Sequence, residues 1–300
     1  MEAIPGMSAT KRRFFSAMNL GGLTLAEALR RTWIKLNEHE LMTRAAAIAF
    51  YAIAALVPFM TLVILLAARL LPWMTGGDAV DPSATLGELL PPEAARVVVG
   101  ELEDIQARGG GAGLISFGTI ALLWLNSSLF TAVMDAMNRI RGVEETRPYW
   151  KQRLLAVAMS VIEAVVIILA LASTLLWPQI LEFFRLGSAA SFLATLTHGL
   201  TVFVIFLISF ACALYFGPNA DQRWEWITPG SLLGTLLLLG VSYLFRFYVQ
   251  TWGDYNATYG SLAGVVVLLS WLWLCGLVLL LAAEFNAVIE RASPLGGDPG

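Results

Sequence analysis

Apolar residues fall into six long blocks along the chain, at about 45–71, 113–134, 154–181, 192–216, 229–250 and 260–283. A hydrocarbon core takes roughly 20 helical residues to cross, and each block is long enough to do so. Backbone amides and carbonyls find no water at that depth, so each block is predicted as a helix that pairs its own polar groups. The pattern predicts an all-α polytopic membrane protein with six transmembrane helices. The second block is the most interrupted, because LLWLNSSLF (122–130) puts Asn126, Ser127 and Ser128 in mid-run. Pro58 lies inside the first block, where it kinks the helix or frees a carbonyl for a ligand.

Two segments between the blocks read as amphipathic helices. TLAEALRRTWIKL (24–36) opens with a capping box, Thr24 and Glu27, suited to the unpaired amides of a first turn. Leu25, Leu29, Trp33 and Leu36 share one face beside Arg30, Arg31 and Lys35. That pattern suits an interfacial helix on an anionic leaflet, and equally a short helix packed on neighbouring loops. PPEAARVVVGELEDIQARGGG (91–111) starts on proline, stops at glycines and carries Val98, Leu102 and Ile105 as one stripe, so it is expected to cap one end of the bundle.

Orientation follows from the basic residues. Seven Lys and Arg precede residue 45, and five lie within 135–153. Segment 72–112 holds only Arg96 and Arg108 against seven acids. Both termini are therefore expected in the cytoplasm. The organisation is then a cytoplasmic segment 1–44 with its interfacial helix, a transmembrane domain 45–290 with an outer helical loop at 72–112, and a cytoplasmic tail 291–300. No secretory leader is expected, since the first apolar run is too long to be one.

Composition agrees: 58% of the 300 residues are hydrophobic and 14% charged, against about 25% charged in soluble domains. With a net charge of −3, nothing draws the chain globally to nucleic acid. Cys212 and Cys275, with His39 and His198 on opposite predicted sides, make no metal or disulfide framework. No Walker lysine and no Ser-His-Asp set is present. A catalytic role, a metal and a cofactor are not expected.

Ionisable and amide side chains inside a span are functional candidates by default. Glu163 lies ten residues into the third block, about 15 Å of helical rise, at a depth Asn126 can share from the second. Together they can bind a cation, a proton or a polar headgroup, or simply hydrogen-bond two helices. Arg69 and Arg246, near the outer ends of the first and fifth blocks, can snorkel to headgroups or hold a phosphate or carboxylate. Glu284 is 24 residues beyond Gly260, about 36 Å of rise. That position favours a solvated helix end, although Ala287, Val288 and Ile289 continue the apolar pattern past it. GSLLG (Gly230, Gly234) and GSLAG (Gly260, Gly264) allow close packing against a neighbouring helix or against a second copy in a homo-oligomer.

RAAAIAFYAIAALVPF (44–59), LFTAVMDAMNRIRGVEETRPYWKQRLLA (129–156) and YGSLAGVVVLLSWLWLCGLVLLLAAEFNAVIER (259–291) together resemble the YihY/BrkB family of bacterial inner-membrane proteins. The resemblance covers roughly 25 to 291 and implies six membrane helices, cytoplasmic termini and an inner-membrane location. Members have carried tRNA-ribonuclease labels and virulence or serum-resistance labels. The family's Ala-Glu-Leu-Asn-like motif is matched by Ala283, Glu284 and Asn286, with Phe285 in place of the aliphatic residue. The resemblance implies a role for Glu284 and Asn286 beyond ending a helix, with Arg44 or Asn138 as expected partners. Membrane lipids are the expected partners of the chain, and a lipid-like or amphipathic molecule the expected substrate of a transporter. A non-transport scaffold in envelope assembly is the alternative, and a ribonuclease the third reading.

Overall fold

A computed structural model describes residues 20–56, 117–183, 188–220, 226–252 and 263–293 of the chain. Pro58, Arg69, Gly260 and the helix expected at 91–111 lie outside the described residues. The described elements are all helical. After a 3₁₀ turn at Leu20–Gly22 come α1 (Leu25–Glu38) and a helix described over Leu41–Leu56, here α2. Then follow α3 (Phe117–Arg141), α4 (Tyr149–Phe183), α5 (Ser188–Phe216), α6 (Pro229–Trp252) and α7 (Ala263–Ala292).

Among the described residues, four stretches are long and apolar enough to cross a membrane: Tyr149–Ala170, Ala194–Phe216, Pro229–Tyr248 and Gly264–Ala292. Their outward faces carry large apolar side chains, among them Leu196, Leu200, Tyr243, Leu244, Phe247 and Val265. Such continuous apolar cover suits hydrocarbon and not water.

Helices outrun the apolar blocks that predict them. α4 begins at Tyr149, ahead of the expected 154, and α7 continues to Ala292 rather than ending near 283. Hydropathy marks the apolar stretch, whereas hydrogen bonding carries the helix on into charged residues that have partners.

The chain divides into two compact units. The first comprises Met1–Phe50, Ala132–Arg147 and Phe206–Gly300; the second comprises Tyr51–Thr131 and Pro148–Ile205. In the first unit α7 packs on α6 and on α1. Thr24 Oγ1 accepts the Glu27 N–H at 3.3 Å, capping α1. The Glu27 carboxylate does not close a capping box but takes Arg30 and Arg31. The buried stripe of α1 is Ala28, Thr32 and Leu36, and Ala28 meets Phe285 and Ile289 of α7. Leu25, Leu29 and Trp33 are exposed, whereas Leu36 is buried. A small residue lets α1 approach α7 more closely than a row of leucines would.

The contact of α6 with α7 also depends on small residues. A Cβ on Gly230 would lie 2.3 Å from the Ala282 carbonyl oxygen, and one on Gly234 would lie 2.8 Å from the Ala282 Cβ and 2.5 Å from the Phe210 ring of α5. At Gly264 no described atom lies within 4 Å of such a Cβ.

In the second unit, Ala156, Met159, Ser160, Ala164, Ile168 and Ala172 make the buried stripe of α4. Ala156, Ser160, Ala164, Ile168 and Ala172 recur every four residues, near the helical period, with Met159 beside them. Ser173 Oγ lies 3.2 Å from His198 Nδ1, and Trp177 stacks on the same imidazole.

Candidate functional site

Polar chemistry in the first unit concentrates at the C-terminal end of α7. Its last three turns are almost wholly buried from Ala282 to Ile289. Glu284 and Asn286 lie inside that buried stretch, while Glu290 and Arg291 just beyond it are exposed; polar side chains so buried call for partners in other segments.

Glu284 is completely buried. Its Oε2 lies 2.6 Å from His39 Nδ1. A contact that short places one proton between imidazole and carboxyl, as an N–H donor to a carboxylate or an O–H donor to a bare ring nitrogen. Oε1 lies 3.6 Å from an Arg291 guanidinium nitrogen and has no hydrogen-bond partner among the described residues. Arg291 follows Glu284 by seven residues on one helix face. His39 is delivered by the C-cap of α1. The next residue, Glu40, takes a left-handed φ of 54°, which turns the chain sharply into α2.

Asn286 does different work. Its Oδ1 accepts the Gly230 N–H at 2.6 Å, and its Nδ2 donates to Thr228 Oγ1 at 2.9 Å. Both partners belong to the N-terminus of α6. Thr228 caps that helix by accepting the Ser231 N–H at 3.0 Å, while Ser231 Oγ accepts the Thr228 N–H at 2.9 Å. Pro229 opens the helix where no N–H is needed. Asn286 thus pairs the second orphan amide of α6 from a neighbouring helix.

Around this centre the ends of other elements are tied down. Arg141 grips Glu290 through two bonds of 2.6 and 3.1 Å. Arg291 donates to the Ile140 carbonyl at the end of α3, one of the acceptors a helix C-terminus leaves open. Asn138 Nδ2 donates to Glu145 at 2.9 Å, and Asn138 Oδ1 accepts the Asn219 N–H at 2.6 Å. Arg147 donates to Asn219 Oδ1 at 2.9 Å and to the Pro218 carbonyl at 2.6 Å. The segments GVEETR (142–147) and FGPN (216–219) are thereby clamped together.

The partners expected for Glu284 and Asn286 need correcting. Arg44 turns to Asp135 at 3.0 Å and to the His39 carbonyl, and Asn138 serves the loop clamp. His39, weighed in the sequence only as a metal ligand, is the partner of Glu284. Counting residues along α7 favoured a solvated Glu284, but α1 and its cap cover the carboxylate, a tertiary effect that helical rise does not register.

Glu163 is half-buried on α4 and has an interaction partner. Arg246 is exposed on α6. Asn126 falls on α3, its side chain outside the described ones. Among the described residues, no three His, Cys, Asp or Glu side chains gather as metal ligands would.

Comparison with known proteins adds a family. Residues 32–299 match the family model described as virulence factor BrkB. A Bacillus subtilis protein named as ribonuclease-like, YfkH, is 29% identical over 89% of this chain and 96% of its own length. A UPF0761 membrane protein of Stenotrophomonas maltophilia is 26% identical over 86% of this chain, and one of Tolumonas auensis 32% identical over 58% of it. The chain spans 59% and 57% of those two relatives' own lengths. No solved structure matches. From the match over most of its length and the apolar helices that carry it, the chain is an integral membrane protein of the YihY/BrkB family.

Proposed function

We propose that the protein is a six-span transporter or translocator of a lipid-like or amphipathic substrate, with Glu284 as its principal polar site. The observation that carries this reading is the buried Glu284–His39 pair on a helix long and apolar enough to span a membrane. Architecture alone is better served by apolar residues, since desolvating an ion pair often outweighs its attraction. A buried acid with one oxygen that has no hydrogen bond among the described residues, only the Arg291 guanidinium at 3.6 Å, is suited to bind or release something polar. Outward apolar faces supply the contact with lipid that an amphipathic substrate requires. Asn286 belongs to the framework of the site in this reading, because both its amide atoms are engaged by α6. We place the site at the cytoplasmic end of the bundle in the inner membrane, as the distribution of Lys and Arg directs.

Reconstitution tests the proposal. Headgroup-labelled phospholipid in proteoliposomes is expected to change leaflet with the wild type and at least tenfold more slowly with Glu284→Gln. A folded wild type that moves no label would reject lipid translocation. The dense clamp of helix ends would then favour the scaffold reading.

A further inference from the structure

Among the described residues of the second unit, one cation has no matching anion. Arg153 lies one turn into α4, about 6 Å of rise from Tyr149. Its terminal nitrogens donate to Thr131 Oγ1 at 3.1 Å and to Ser128 Oγ at 3.2 Å. The guanidinium carbon sits 4.5 Å from the Trp124 ring centre and 5.9 Å from that of Tyr149. A guanidinium has five N–H donors; two go to neutral hydroxyls, and Nε has no partner among the described residues. Lys151, two residues earlier at the same helix end, is exposed and lies over the Trp150 ring. Among the described residues neither cation has a carboxylate partner.

We infer that Arg153 forms a binding site for the headgroup phosphate of an anionic phospholipid, with Lys151 adding positive charge at the same helix end. Hydroxyls and aromatic rings hold the guanidinium in place without neutralising it, which leaves donors and a full charge for a phosphate oxygen. The apolar span begins at the same helix end, Tyr149. Trp124, Tyr149 and Trp150 are exposed around the cation, as aromatic side chains are where headgroups meet acyl chains. Leu154, also exposed, offers the adjoining surface to an acyl chain. A membrane supplies this ligand at high local concentration, and the aromatic rim matches a lipid rather than free phosphate. The site is independent of translocation and of Glu284.

The test uses the full chain in nanodiscs of equal parts phosphatidylcholine and phosphatidylglycerol, extracted gently and weighed intact by native mass spectrometry. The wild type is expected to retain phosphatidylglycerol preferentially. Each basic side chain at a membrane surface is worth about fivefold in binding, so Arg153→Gln should lower the retained ratio about fivefold and Lys151→Gln by a smaller factor. An unchanged ratio in folded Arg153→Gln overturns the assignment. If that variant does not fold, Lys151→Gln decides, and an unchanged ratio there overturns it equally. Displacement of the lipid by excess inorganic phosphate would assign the site to free phosphate instead and reject a lipid headgroup.

Discussion

Asn286 Oδ1 accepts the backbone N–H of Gly230 at 2.6 Å, so one membrane helix completes the cap of the next. Both groups are buried. Asn286→Leu keeps approximate volume but strands that amide and removes a donor from the Thr228 hydroxyl. A buried polar group left unpaired costs about 1–3 kcal/mol, and a drop of several degrees in the detergent unfolding midpoint is expected. Gly230→Ala should be worse, because its Cβ meets a backbone carbonyl oxygen, that of Ala282, at 2.3 Å. Gly264→Ala has open space among the described residues and should leave the midpoint level or slightly raised.

Glu284 and His39 separate stability from activity. In Glu284→Gln an amide replaces the carboxyl at equal volume and still offers His39 a hydrogen-bond partner. It should fold, and its loss should appear in translocation. Glu284→Leu leaves the imidazole without its partner and Arg291 without its nearest anion. Breaking a buried pair by removing one member costs about 3–5 kcal/mol, with the low end expected because the His39 side chain is 13% exposed. Thermal unfolding measured beside proteoliposome flux distinguishes the outcomes. Equal flux in wild type and Glu284→Gln would return Glu284 to the architecture.

The span helices were legible because a hydrocarbon core imposes length and apolarity on each segment separately. Their ends were less so. α7 runs through Glu290 and Arg291 because Arg141 and the Ile140 carbonyl receive them, and those partners lie about 150 residues away in sequence. The burial of Glu284 has the same origin, since what covers it arrives from α1 and its cap. His39 carried no periodic signal, being one polar residue in NEHE (37–40). Asn219 was visible only as the last residue of a turn, though a Gly-Pro-Asn sequence is a place where an amide commonly ties a loop. The apolar face of Leu25, Leu29 and Trp33 is left outward, as an interfacial helix would leave it. The pattern has two edges, and packing against α7 selected the one with Ala28 and Thr32.

Arg147 predicts a strongly non-additive pair. Its guanidinium reaches Asn219 Oδ1 and the Pro218 carbonyl at once, a geometry that a planar fork provides and an ammonium does not. Arg147→Lys should therefore behave as a loss, costing about 1.5–3 kcal/mol for bonds from a charged donor. Asn219→Ala removes the same contact together with bonds to the Glu144 carbonyl and Thr146 Oγ1. The double variant should be less destabilised than the sum of the singles, by 0.5 kcal/mol or about that at the least. Additive unfolding energies would show that the two loops are held independently.

Glu27 predicts a pH dependence confined to acid. Hydrogen bonds from Arg30 and then Arg31 lower its carboxyl from 4.5 to about 2. The folded value lies below the unfolded one, so the stabilisation of α1 from this cluster is fully present above pH 4.5. It declines as pH falls towards 2, where the folded carboxyl takes up its proton. Carbon-detected NMR of labelled glutamate should find the Glu27 midpoint near the lower value, and the double variant Arg30→Gln, Arg31→Gln should move it back towards 4.5. The cluster is on the surface, so added salt should shift the wild-type midpoint in the same direction. A wild-type midpoint already at 4.5 would mean that both arginines leave the carboxylate in solution.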